Sequence, residues 1–404
     1  MKKTPRLSDF LVSHFSDDLK SHLLALRRDL HQHPELSFQE HRTAQKLYDE
    51  LAQLPVQQLQ RIAGTGVIAR IKGRNPHAPV VAIRGDIDAL PIQEATGLDY
   101  ASVNSGVMHA CGHDVHATWT IGAAYLLAAN PAAGDVMIIL QPAEEIGKGA
   151  LAILESGVLA GVQAIFGGHV DRRFQVGQVV AEAGALAASA DEFKIELIGS
   201  GSHGARPHEA ADPIVGAAAL ISALQTIVSR RLNPAKASVV SVGTMHAGSA
   251  ANIIPERAQL TGTLRALDAE TRQLLHDEVR RLAEAIAHAY GLRADVEIIL
   301  GTPVLNNSSQ AASWARQAVR NILGEEAVVP LGSLNLAGED FAFYLERMPG
   351  CFLRIGACEP EGKFVAAHAP HFYAAEESIF IGAAVLAETA RVASAALAQA
   401  NSGD

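Results

Sequence analysis

Short apolar runs alternate with helix-period stretches along most of this chain. No other feature constrains its fold as strongly. GVIARIKG, PVVAIRGDIDALP, GDVMIILQPAEE and QAIFGGHV read as buried strands. Helical patterns over 117–129 and 148–156 separate them. Upstream, Leu19, Leu23, Leu26 and Leu30 predict an amphipathic helix over 16–32, stopped by His33-Pro34, and a second helix follows over 40–54. Strand-helix alternation of this kind predicts an α/β layer: a mixed, mainly parallel sheet flanked by helices.

Near residue 186 the pattern changes. DEFKIELIGSG, ASVVSVGTMHAG, RAQLTGTLRAL and RADVEIILG read as strands, with helices over 212–231 and 269–290. The order β-α-β-β-α-β is the split βαβ arrangement of a ferredoxin-like α+β domain. Its expected span is 186–300, inserted between a first part of the main domain (1–185) and a second part (301–404). The second part has a helix over 309–323, the strand CFLRIGA and a last helix from Glu376. A chain of 404 residues is long for one core, so two domains agree with its length.

Composition narrows the function classes. With 49% hydrophobic and 19% charged residues the chain is an ordinary globular one, and a net charge of -10 argues against a nucleic-acid partner. The three cysteines, Cys111, Cys351 and Cys358, are too few for a disulfide framework and suit a reducing compartment. The opening MKKTPRLSDFLVSHFSDDLK is basic but lacks the apolar core of a leader. No stretch approaches the roughly 18–20 uninterrupted apolar residues of a membrane span, so no membrane partner is expected and the cytoplasm is the expected location.

The chemistry sits where apolar runs end. VVAIRGDID ends on Asp86 and Asp88, VMIILQPAEE on Glu144 and Glu145, and AIFGGHV on His169, while MHACGHD supplies Cys111 and His113. Sites of open α/β sheets form beyond the carboxyl ends of strands, so these groups converge. Taken alone, Cys111 reads as inert buried core and His113 as a polar loop residue. With Glu145 and His169 they form a thiolate, imidazole and carboxylate set that suits zinc or a similar first-row ion better than calcium or magnesium. Adjacent side chains point differently, so Glu145 is assigned to the metal and Glu144 to the base that takes a proton from water. In GSGSHGARPHEAADP, His203 is either part of a flexible loop or a donor toward a developing oxyanion. In GSAANIIPERAQLTGTLRA, Asn252 and Arg265 offer a carboxylate grip, although Arg265 reads equally as a surface strand residue.

RRDLHQHPELSFQE, RGDIDALPI, MHACGHDVHAT, QPAEEIGKGA, GGHV, GSHGARPHEAADPI, ANIIPERAQLTGTLRA, GEDFAFY and HAPHF stand in this order from about Leu26 to Leu386. Together they resemble the metal-dependent amidohydrolases and exopeptidases that include aminoacylase and carboxypeptidases, and most closely the hippurate and auxin-conjugate (IAA-amino acid) hydrolase branch. The resemblance implies a zinc-exopeptidase-like catalytic domain with an inserted lid that also dimerises, giving a homodimer or a tetramer. It implies two divalent ions per subunit, zinc first, with manganese, nickel or cobalt open. The implied ligands are Cys111, His113, Glu145, His169 and His368, with His371 the alternative in HAPHF. Glu144 is the implied base and Asp88 a carboxylate orienting a ligand histidine. His203 is the implied oxyanion donor to the partner's site, and Asn252 and Arg265 bind the substrate carboxylate. His109 and His116 are expected to be supporting groups, and Asp114 is left without a role.

The expected reaction is hydrolysis of an N-acyl amino acid or short peptide, with carboxypeptidase or dipeptidase action as the enzyme alternative. A zinc deaminase lacks its His-x-Glu and Pro-Cys-x-x-Cys here. A non-catalytic metal- or peptide-binding homologue would have no need of Glu144. Departures from the family pattern, DRRFQVGQV after His169 and Ser202 in place of a frequent glycine, bear on substrate preference.

Overall fold

The structure, a computed structural model, describes residues 7–334 and 336–401. The basic opening, residues 1–6, on which part of the leader argument rests, lies outside the described residues. The chain forms two compact units: Met1–Leu186 with Asn306–Ser333 and Asp340–Asp404, and Ala187–Leu305 with Leu334–Glu339. The return segment Leu334–Glu339 carries no strand or helix among its described residues, so periodicity offers no sign of it.

The first unit is built on a sheet of seven strands. Their order is Val56–Ile62, Gly66–Ile71, Val136–Gln141, Val80–Asp86, Val162–Gln175, Gly350–Cys358 and Val179–Val180. The middle four are parallel, and the antiparallel pairings lie toward the edges. Val136–Gln141 and Gly350–Cys358 are buried at every position, which explains their mostly apolar sequence: both faces are covered. Register pairs Asp86 with Gln141, and Arg84 with Gly167, so Asp86, Gln141 and His169 lie level near one end of the sheet. The last of these strands runs straight through DRRFQ to Gln175, with no turn after His169.

Helices complete the layer. Asp17–Gln32 starts on Ser16, whose hydroxyl accepts from Leu19 N–H, and buries Leu23, Leu26 and Leu30. The alanine-rich Glu377–Asn401 packs against His113–Ala129 and Ser309–Leu323. Trp119 is fully buried in this core and stacks on His116 at 4.6 Å. Truncating it to alanine would remove about 3–5 kcal/mol of packing. Two helical stretches, Pro213–Arg231 and Glu377–Ala400, are long and apolar enough to cross a membrane by length and composition. Burial of 72% in the Glu377–Ala400 window accounts for its apolar character as core packing.

The helix expected over 117–129 begins earlier, at His113. Its N-cap is Gly112, at φ 92°, not a Ser, Thr, Asp or Asn, so the usual start signal is absent. A Cβ on Gly112 would also meet Val170 Cγ2 at 2.5 Å, so this close turn requires glycine.

The second unit holds a four-stranded antiparallel sheet ordered Ser238–Ala247, Arg257–Ala266, Ser189–Ile198, Arg293–Thr302. Numbered along the chain this is 2-3-1-4, the ferredoxin-like order. Ser189–Ile198 alternates buried and accessible positions, and Phe193, Ile195 and Leu197 join Leu220, Leu224, Leu275 and Val279 in a separate core. The helix expected over 212–231 divides into Pro213–Thr226, capped by Asp212, and a π-helical turn Ile227–Arg231.

Candidate metal centre

Three loops and one strand of the first unit bring their polar groups together. Cys111 Sγ lies 3.1 Å from His169 Nε2. His113 Nε2 lies 3.9 Å from Glu144 Oε2 and 3.8 Å from Glu145 Oε1. His368 Nε2 lies 3.5 Å from Glu145 Oε2. Three overlapping triplets, Cys111–His113–His169, Cys111–Glu145–His368 and His113–Glu144–Glu145, each have ligand atoms within 4.8 Å of one another.

Supporting hydrogen bonds aim these groups. His113 Nδ1 donates to the Asp88 carbonyl at 2.9 Å, which turns Nε2 into the cluster. His169 Nδ1 donates to the Val170 carbonyl at 2.6 Å, turning its Nε2 toward Cys111. Asp88 accepts from the Glu144 and Glu145 amides at 3.1 and 3.0 Å. Ala143, just before them, sits at φ 53°, and His368 at φ 64°; strain at non-glycine residues of this kind gathers at working sites. The amide of His368 donates to Ala110 O at 2.8 Å, tying the HAPHF loop to the Cys111 turn. His371 is engaged elsewhere, through Nδ1 with Ala95 O at 2.5 Å.

The residues fit a cation. His113 Nε2 and Glu145 Oε1 are buried without a hydrogen-bond partner. Burial pushes the Glu145 carboxyl up to about 7, an effect that His113 partly offsets. Burial and then Glu145 push the Cys111 thiol well up, and burial followed by His116 holds His169 well below the usual imidazole range. Burial opposes charge on His113, but Asp86 and Asp88 outweigh it and raise its pKa. A cation against these groups would compensate the desolvation and favour thiolate and carboxylate.

The histidines expected to be supporting groups have distinct places. His116 Nδ1 bonds Asp86 at 2.6 Å while its Nε2 accepts from Val170 N at 3.0 Å, so both nitrogens are committed beside His169. His109 is buried with neither ring nitrogen hydrogen-bonded, and burial lowers it to about 4. Asp114 pairs with Arg27 at 2.9 Å and His31 at 2.8 Å.

Beneath the cluster lies a buried polar network to which no sequence motif assigns a role. Asp340, in GEDFAFY, accepts from Arg84 and Gln141 at 2.8 Å and from Ala150 N at 2.9 Å. Its own amide reaches Glu144 Oε1 at 3.4 Å. Arg84 also pairs with Asp86. The available signal is a polar side chain in an otherwise apolar run: Arg84 in VVAIRGD and Gln141 in VMIILQ, both buried.

On the second unit, His203 lies in the two-residue strand Ser202–His203, paired with Ile253–Ile254. Its Nδ1 accepts from Ala205 N at 3.1 Å, so Nε2 carries the proton as a donor. His203 and Asn252 line one groove, and the Asn252 carbonyl accepts from Gly204 N at 2.7 Å. Arg265 is half-buried in Arg257–Ala266, between the inward-facing Leu264 and Ala266.

Residues 82–392 match the model of the peptidase family M20/M25/M40. The N-acetylcysteine deacetylase of Bacillus subtilis is 43% identical over 375 residues, covering 91% of this chain and 96% of that protein. The IAA-amino acid hydrolase ILR1-like 2 of Arabidopsis thaliana is 34% identical, covering 96% of this chain and 86% of that protein. The crystal structure of a Bacillus subtilis dinuclear metal-binding peptidase from the M20 family superposes with a TM-score of 0.83 at 38% identity, covering 94% of this chain and 99% of that one. By family, by relatives and by fold, the chain is a metal-dependent hydrolase of the peptidase family M20/M25/M40.

Proposed function

We propose that this chain hydrolyses the amide bond of N-acyl amino acids, with short peptides as the second substrate class. One observation carries the reading: Glu144 and Glu145 leave the same loop beside His113, and Glu145 also faces His368 and belongs to the Cys111 triplet. Two divalent ions held by Cys111, His113, Glu145, His169 and His368 would acidify water and polarise the scissile carbonyl.

Glu144 takes a proton from the attacking water as its oxygen adds to the amide carbon. As the C–N bond breaks, Glu144 returns that proton to the leaving amine. Asp88 holds Glu144 in place through its amide and orients His113. His203, with its proton on Nε2, is assigned as donor to the carbonyl oxygen. Arg265 and Asn252 are assigned to the free carboxylate of the amino-acid half. A C-terminal carboxylate of a peptide would meet the same grip, which keeps carboxypeptidase action as the second reading.

The deacetylase relative supports the N-acyl class. A thiolate ligand favours zinc, with manganese, nickel and cobalt as alternatives. We further propose a homodimer in which His203 serves the partner's site; exposed Ile214, Val215, Met245 and Ile253 on the second unit support an association surface. Free Cys111, Cys351 and Cys358 support a reducing, cytoplasmic location.

The test is a panel of N-acetyl, N-benzoyl and indole-acyl amino acids with dipeptides, using protein stripped of metal and reloaded with each ion. Turnover that needs metal supports the reading and ranks the substrates. Tight metal binding without turnover of any member would reject it.

A further inference from the structure

We infer that Glu40 is a positioning residue for the base, pinning the loop that carries Glu144 and Glu145; this rests on the assignment of Glu144 proposed above. Glu40 is fully buried, yet it lies 103 residues from the loop it holds. Its Oε1 accepts from Ala143 N at 2.9 Å, and its Oε2 accepts from the Thr65 hydroxyl at 2.5 Å. Thr65 itself is buried, so the carboxylate is fixed at both oxygens.

The bond falls where the loop is least able to hold itself. Ala143 is at φ 53°, a conformation that alanine adopts only at a cost of about 1–2 kcal/mol, and it immediately precedes the two working carboxylates. On its carbonyl side the turn is closed by Lys148 N and Gly149 N at 3.3 and 3.1 Å. On its amide side the holder is Glu40. The next two amides, those of Glu144 and Glu145, are held by Asp88. Three consecutive N–H groups are therefore gripped by two buried carboxylates.

Both grips trace back to one short segment. Ser37 donates its hydroxyl to Asp88 Oδ2 at 2.7 Å, and Glu40 follows three residues later in HPELSFQE. Phe38 between them takes φ 59°, which turns the chain so that both residues face inward. Leu36 meanwhile bridges to Ala89, beside Asp88. The segment is a brace under the loop, and its chemistry is acceptance of backbone N–H groups, not contact with substrate. A carboxylate displaced by an ångström loses near-attack geometry while the rest of the site stands.

The experiment compares Glu40→Ala, Glu40→Gln and Thr65→Val with wild type. Gln keeps one carbonyl to accept from Ala143 N. Each zinc-loaded protein is assayed on the N-acyl amino acid that wild type turns over. Amide exchange at residues 143–145 is measured on the metal-free proteins. The brace predicts that Glu40→Ala lowers kcat by about 10- to 100-fold with KM within about twofold. It predicts recovery in Glu40→Gln and faster exchange at Ala143 while Val136–Gln141 stays protected. Thr65→Val, which leaves the loop contact in place, should give a smaller loss in the same direction and decides the matter if Glu40→Ala does not fold. Wild-type kcat and exchange in Glu40→Ala, or in Thr65→Val where Glu40→Ala does not fold, would overturn the brace. A wild type inactive on every substrate would reject the assignment of Glu144 instead, and the exchange measurement would still decide whether Glu40 holds the loop.

Discussion

The candidate site residues of the two units are held in opposite ways. In the first, buried carboxylates pin the groups around the site: Asp88 holds the Glu144 and Glu145 amides, Asp86 holds His116, and Asp340 joins Arg84 and Gln141. In the second, His203 and Asn252 are exposed on a groove held by a strand pair of two residues each. Buried charge with fixed partners gives rigid geometry that is lost when one partner goes. Exposed donors adapt to what binds, and losing them leaves the fold intact. Removing a pinning carboxylate of the first unit should therefore cost stability, metal affinity or turnover, and substituting His203, Asn252 or Arg265 should change only substrate kinetics.

The largest expected effect on stability is Asp340→Ala. It removes the carboxylate that accepts from Arg84, Gln141 and Ala150 N. Denaturant unfolding should show a loss of about 3–5 kcal/mol. A loss under about 1 kcal/mol would mean that the network relaxes and the contrast between units is weaker than stated.

Next is Asp88→Ala, which removes the acceptor of two loop amides and of the Ser37 hydroxyl, and a partner of His113. Metal affinity or turnover should fall about 10- to 100-fold. Isothermal titration with zinc and steady-state kinetics would measure both, and wild-type values in both would remove Asp88 from the supporting layer.

The third prediction concerns pH. In the metal-free protein the Glu145 carboxyl keeps its proton up to about 7, and burial keeps the Cys111 thiol neutral. Both must deprotonate to bind a cation. Below about pH 7 uptake therefore expels a proton from Glu145, so affinity rises as pH rises, by about tenfold per unit for each proton released. Glu145→Gln should flatten that share of the slope. A zinc affinity independent of pH between 5 and 7 would contradict the assignment of both groups.

The smallest change in the molecule itself is expected for Arg265→Ala. KM for carboxylate-bearing substrates should rise about tenfold or more, from loss of a charged hydrogen-bond pair. Thermal stability should move by no more than a surface substitution does, about 0.5 kcal/mol. A loss of metal along with substrate binding would erase the difference between the two units.

Much of this contrast is legible in the sequence. Apolar runs leading to Asp86, Glu144 and His169 foretell strands whose carboxyl ends meet, and register brings Asp86, Gln141 and His169 level. The β-α-β-β-α-β block foretells the antiparallel 2-3-1-4 sheet because hairpins and crossovers leave few other arrangements. What periodicity misses is set by backbone conformation and long-range hydrogen bonds. The helix at His113 starts on a glycine at φ 92°, against the usual cap signal. The role of Glu40 depends on a loop 103 residues away, which no local pattern encodes. His368 and His371 look alike in HAPHF, and only the fold separates the one beside Glu145 from the one bonded to Ala95.

The central claim is that two adjacent carboxylates divide the work, Glu145 for the metal and Glu144 for the proton. The direct measurement is metal content and turnover of Glu144→Ala and Glu145→Ala side by side. The account predicts that Glu144→Ala keeps wild-type metal content and loses about 10²- to 10⁴-fold in kcat, while Glu145→Ala binds metal weakly. Wild-type turnover in Glu144→Ala, or full metal content in Glu145→Ala, would contradict it.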